Sequence, residues 1–294
     1  MNQDMTAATN WNCLDGLSME ATARDIPHLT AMASRFAPGT VIGIPYLANE
    51  FDADRLHAAA TIRGLGFTPM PHLAVRRLAS RDAFARLLAG WAEAKVERLL
   101  VLAGDCARPE GPFADALALL DTGLLPDHGI RDVVISGYPE GHPQIPDPRL
   151  ARAMRDKLAA IAAQGMAAEI ATQFCFSAER LLAWLDELRA GGITAPVRLG
   201  IPGPANLRIL LRYATLCGVS ASAAVLARYG FSLTKLRSHA GPDQLVRALA
   251  SGLAPVRHGP VFAHFYPFGG MSSLATWLER QRFVHGPLVR VGLP

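Results

Sequence analysis

The chain has 294 residues, 50% of them hydrophobic and 18% charged, enough to bury a large core and too apolar for a disordered segment. Its 29 basic residues are scattered among 25 acidic ones for a net charge of +4, without the Lys/Arg block of a nucleic-acid footprint. Cys13, Cys106, Cys175 and Cys217 form no CxxC pair, which argues against a disulfide framework and a zinc site, and the polar start and lack of a long apolar run point to a cytoplasmic protein without a membrane span.

Along the chain, short β-type runs alternate with longer stretches of helical spacing. Strands are expected at 14–20, ending on Glu20; at 40–46, ending on Tyr46; at 67–73, carrying His72; and at 98–104, followed by Asp105. A fifth, at 132–138, stops at "YPEGHP", where two prolines and a glycine forbid continuation and Tyr138 and His142 fall on the loop. The sixth, 168–174, carries Gln173; the seventh, 196–202, runs into a loop that reaches Asn206; the eighth, 260–266, carries His264 and Tyr266. Helices are expected at 80–94, 148–165 and 177–192, and the stretch 220–253 has helical spacing without a strand. Eight strands alternating with helices predict one (β/α)8 TIM barrel over residues 1–294, with extra helices before the last strand.

In such a barrel the strand C-termini form the active rim, and nearly every strand here delivers a polar or aromatic group to it. Each residue also has a plainer reading. Glu20 and Asp105 could be helix caps or rim carboxylates, His72 a buried histidine satisfied by a carbonyl, and Tyr138 and His142 packing groups of a turn. Gln173 is either a core amide or a ligand hook. The histidines are too dispersed to signal a metal site.

Taken in order, "SMEATAR", "IPYLANEFDADRLH", "PHL", "LVLAGD", "GYPEGHP", "ATQFCF" and "HFY" resemble the methylenetetrahydrofolate reductase family, from about Ser18 to Tyr266. The resemblance implies an oxidoreductase of one-carbon metabolism and methionine biosynthesis, with a folate as substrate, NADH or NADPH as co-substrate and FAD as cofactor. Hydride would pass from the nicotinamide through the flavin to 5,10-methylenetetrahydrofolate, giving 5-methyltetrahydrofolate. Glu20 would be the acid that opens the folate ring, which calls for a raised carboxyl pKa. Asp105 would hold the pterin and sit near the flavin, Gln173 and Tyr213 would contact the folate, and Tyr46, His72, Gly104, Phe113, Tyr138, His142 and Lys157 would join Asp105 around the flavin. A homo-oligomer is compatible with this picture; nucleic acid and membrane are not expected partners.

The sequence departs from the family pattern at several points. Ala21, Thr22 and Ala23 follow Glu20 where aromatics and prolines are usual, Ala103 replaces an arginine, and "KLAAIAAQG" leaves Lys157 as the nearest cation for the FAD phosphates. Ile209 takes the place of a glutamine, and the glycines of "HFYPFGG" that of an arginine. A flavin-free reductase with direct hydride transfer and a non-catalytic folate-binding barrel are therefore the competing expectations, and the physiological direction stays open.

Overall fold

The computed structural model describes residues 11–47, 49–219 and 241–285. Eight strands, β1 (Ser18–Glu20), β2 (Val41–Ile44), β3 (Thr68–Ala74), β4 (Arg98–Leu102), β5 (Asp132–Gly137), β6 (Ala167–Phe174), β7 (Val197–Pro202) and β8 (Val261–Tyr266), close in sequence order into one barrel. All pairings are parallel, and β8 closes on β1 with Ser18 opposite His264. Around it run α1 (Ile26–Ala31), α2 (Asp52–Gly64), α3 (Arg81–Glu93), α4 (Ala116–Leu120), α5 (Leu124–Asp127), α6 (Asp147–Ala163), α7 (Ala178–Ala190) and α8 (Leu207–Cys217). Next come α9 (Asp243–Gly252), α10 (Pro255–His258) and α11 (Met271–His285).

The expected (β/α)8 barrel is what the chain forms, and α9 falls in the stretch from 220 to 253 where extra helical structure is expected, with the short α10 just beyond it; residues 220–240 of that stretch lie outside the described residues. The clearest correction is β1, which begins at Ser18 rather than at 14. Asn12 to Gly16 is a turn, with Asp15 N–H donating to the Asn12 carbonyl at 3.1 Å and Gly16 at φ +57°, outside extended geometry. β4 likewise stops at Leu102 because Gly104 adopts φ +90°.

The helices follow from local signals. Ser80 caps α3 by accepting the Ala83 N–H at 3.0 Å, and Phe84, Leu87, Leu88 and Trp91 make one buried stripe. Ser177 caps α7 in the same way, and Leu181, Trp184, Leu185 and Leu188 cover the sheet.

Inside the barrel, the two-residue period of the strands stacks three layers. At the bottom, Glu169 Oε2 accepts Arg198 Nε at 2.7 Å and Arg98 Nη1 at 2.8 Å, and the Arg198 guanidinium lies over the Phe262 ring, 5.2 Å from its centroid. Two residues further along each strand, Val41, Met70, Leu100, Val134 and Ala171 form an apolar middle layer. Two residues beyond those come Gly43, His72, Leu102, Ser136 and Gln173, so the top layer is the first with polar groups facing the mouth.

The bottom layer is a largely buried ion cluster, and removing its shared anion leaves Arg198 without a carboxylate and Arg98 with only Asp132, at 3.5 Å. Glu169→Ala is expected to cost about 3–5 kcal/mol, the usual consequence of breaking a buried pair. Urea unfolding checks this, and a loss under about 1 kcal/mol would mean that water replaces the carboxylate.

Candidate functional site

The centre of the top layer is Glu20. Its Oε1 lies 3.7 Å from His72 Nε2 on one side and 3.6 Å from His264 Nε2 on the other, so one carboxylate sits between two imidazoles. His264 comes from the neighbouring strand. His72 comes from β3 and reaches Glu20 across β2, where the intervening residue is Gly43. A Cβ built on Gly43 would stand 3.2 Å from His72 Nε2 and 3.6 Å from Glu20 Cγ, so the missing side chain opens the gap. Ser18 Oγ is 2.8 Å from His264 Nδ1; a hydroxyl donating there leaves the imidazole proton on Nε2, the atom that faces Glu20.

His72 is held from behind. Arg55, 1% exposed on α2, donates through Nη2 to the His72 carbonyl, bonds Asp52 Oδ1 at 3.3 Å and lies between the Tyr46 and Trp91 rings. Sequence reading passed over Arg55, although it opens the otherwise apolar stripe 55, 58, 59, 62 of α2, a position where a buried arginine must have a job. Burial lowers the His72 pKa to about 4, with the Glu20 charge opposing the shift and His264 and Arg55 adding to it. Tyr266 lies half-buried beside this group, its hydroxyl donating to the Thr172 carbonyl at 3.0 Å, and desolvation, then the Glu20 charge, push its pKa well up.

The other candidates are distributed around the rim. Glu20 caps no helix: the turn after β1 is closed by Asp25, which accepts the Thr22 N–H at 2.9 Å. Nor does Asp105, since α4 is capped by Asp115, which accepts the Ala118 N–H at 3.0 Å. Asp105 lies three residues beyond β4 and is exposed, its Oδ1 taking Arg77 Nη2 at 3.1 Å while Glu110 takes Nη1 at 2.9 Å. Gly104 at φ +90° makes the bend, and a Cβ there would stand 3.2 Å from the Ala74 methyl. Gln173 accepts the N–H of Phe174 at 3.1 Å, and the Tyr138 ring meets the His142 edge at 5.1 Å. Tyr213 stacks on Phe268 at 4.1 Å. Lys157 is half-buried on α6; burial lowers its pKa and the Asp115 charge opposes that. Phe113 stands apart: it is 2% exposed, with its ring edge-on to Phe84 at 5.7 Å, and belongs to the core rather than to a ligand wall. Among the described residues no cluster of three or more His, Cys, Asp or Glu could hold a metal, and no helix is long and apolar enough to cross a membrane.

The methylenetetrahydrofolate reductase family profile matches residues 47–235. The 5,10-methylenetetrahydrofolate reductase of Pectobacterium carotovorum subsp. carotovorum is 28% identical over 200 residues, covering 66% of this chain and 62% of that one. That of Salmonella typhimurium (strain LT2) is 26% identical over 223 residues, 72% of this chain and 64% of that one. The match thus spans less than two thirds of either relative's length. Among solved structures, an uncharacterized protein from Clostridium thermocellum that binds two copies of 5-methyl-5,6,7,8-tetrahydrofolic acid superposes with a TM-score of 0.60 at 11% identity, over 91% of this chain and 95% of that one. That likeness is one of fold.

Because His72 is neutral when folded and accepts a proton near pH 6.5 when unfolded, the unfolded state binds more protons between those values. Stability should therefore fall as pH drops from 6.5 to about 4, with a contribution from His72 of up to about 1.4 kcal/mol per pH unit. His72→Gln should flatten the curve in that window relative to the wild type. Parallel curves from thermal unfolding at several pH values would contradict a buried neutral His72.

Proposed function

The chain belongs to the methylenetetrahydrofolate reductase family, and from that premise we propose that it interconverts 5,10-methylenetetrahydrofolate and 5-methyltetrahydrofolate, with NADH or NADPH as hydride source. The observation that carries this reading is Glu20 Oε1, set at the mouth between His264 and His72 at 3.6 and 3.7 Å. The methylene carbon is locked between N5 and N10 and is a poor hydride acceptor there. A proton given by Glu20 to N10 lets the carbon–N10 bond break, its electron pair going to nitrogen, and leaves an iminium at N5. Hydride addition to that carbon completes the methyl group, and the nicotinamide leaves oxidised. In this reading Gln173 and Tyr213 orient the folate, and Asp105 receives the pterin edge through paired N–H bonds, exchanging its contact with Arg77 for them.

FAD, when bound, would relay the hydride between nicotinamide and folate. Tyr46, His72, Gly104, Asp105, Tyr138, His142 and Lys157 are the residues that would hold it. Lys157 supports the fit, because among the described residues this half-buried ammonium has no carboxylate at ion-pair distance, and a phosphate would complement it. A flavin-free reading has one observation in its favour: from 156 to 165 Lys157 is the only cation, so the phosphates would have a single charged anchor there.

Glu20→Gln keeps the shape and removes the proton, and should lower methylenetetrahydrofolate reduction by about two to four decades. Full turnover by the variant would end the assignment. For the cofactor, an absorbance spectrum of the protein with added FAD should show a bound, yellow flavin, and Lys157→Ala should weaken FAD binding by about tenfold or more, read from flavin fluorescence. A protein that stays colourless and reduces the folate without FAD would establish direct hydride transfer instead.

A further inference from the structure

From Glu20 outward, one side of the mouth is a continuous run of rings. His264 meets Tyr266 edge-on at 5.0 Å, Tyr266 lies nearly parallel to Phe268 at 5.6 Å and 27°, and Phe268 is stacked with Tyr213 at 4.1 Å and 14°. Phe174, next to Gln173, supports the run from behind, edge-on to Tyr266 at 5.5 Å and to Phe268 at 4.9 Å. The inner end is anchored by the Tyr266 hydroxyl on Thr172. The outer end stays open, since Tyr213 keeps 36% of its surface exposed.

Phe268 is the joint between the two halves, and backbone contacts fix where it stands. Gly203 donates its N–H to the Tyr266 carbonyl at 2.8 Å, and a Cβ there would come within 2.9 Å of that oxygen. A Cβ on Gly269 would overlap the Pro204 carbonyl. Two glycines therefore let the loop after β8 press against the loop that leads into α8. Asn206 caps α8 by accepting the Ile209 N–H at 3.0 Å, so Tyr213, further along that helix, meets Phe268 at a set distance.

We propose that Phe268 is a positioning residue: it holds Tyr213 as the outer end of an aromatic wall, and this wall selects a flat heteroaromatic ligand, the pterin ring of the folate. The ligand rests on the folate reading above; the placing of Tyr213 does not. Parallel rings left open at one end offer stacking to a planar partner, which an aliphatic surface of equal area does not.

The test uses Phe268→Leu, which keeps apolar volume and removes the ring, and Phe268→Tyr, which keeps the ring. Phe268→Leu is expected to raise the Kd for 5-methyltetrahydrofolate and the KM for its methylene form about tenfold, with kcat within about twofold and a melting temperature lowered by about a few degrees, and Phe268→Tyr is expected to restore wild-type values. In a crystal structure of Phe268→Leu, the Tyr213 ring should leave its stacked position. Wild-type Kd in Phe268→Leu, or equal losses in both variants, would overturn the proposal. If the wild type binds no folate, the folate reading falls and the positioning role is judged on the Tyr213 ring alone, whose displacement upholds it and whose persistence overturns it.

Discussion

Closure of β1 against β8 is the contact on which the site depends. It sets Ser18 beside His264, 246 positions away in sequence, and brings the Glu20 carboxylate to the same imidazole. Parallel strands wound in one direction must all present their C-terminal ends on one rim, so residues from β1, β3, β6 and β8 meet there without any local signal in the chain. The layers below make the rim possible. A salt-bridged floor and an apolar middle fill the lumen, so polar side chains of the third layer have only the mouth to face.

Within that third layer, size decides who meets whom. Any side chain at Gly43 would fill the space through which His72 reaches Glu20, and Arg55 then fixes the His72 backbone from the outer face of the strand. The imidazole is thus oriented by a gap on one side and a buried cation on the other. Both are features of packing, and both act on a residue whose own sequence context, "PMPHLA", says only that a strand passes here.

The architecture was legible because it rests on periodicity, and alternation of short apolar runs with capped amphipathic stretches survives in a single sequence. Where strand ends shifted, backbone sign was the cause: Gly16 and Gly104 take positive φ, which apolar patterning does not register. The rim residues were legible one by one as strand ends, but their pairing was not. Nothing near Glu20 announces His264, and nothing near Asp105 announces Arg77, because those contacts are made by closure and by neighbouring loops. Phe113 shows the converse limit, since its place in a motif said nothing about the Phe84 ring that buries it. Arg55 and Phe268 carried usable signals, a cation on an apolar helix stripe and an aromatic ring beside two glycines, that have meaning only once a barrel is assumed.

The electrostatics of the mouth follow from the same packing. Burial keeps His72 neutral down to about pH 4, and it pushes the Tyr266 hydroxyl and the Cys217 thiol up, each with the Glu20 charge as a further cause. Arg55, a buried cation behind the layer, is turned toward the His72 carbonyl, Asp52 and two aromatic faces. Glu20 therefore faces two imidazoles, and among the described residues neither a guanidinium nor an ammonium lies at ion-pair distance from it. Arg198 and Arg98, which do pair with a carboxylate inside the lumen, sit at its opposite end on Glu169, where opposite charges hold the barrel floor together.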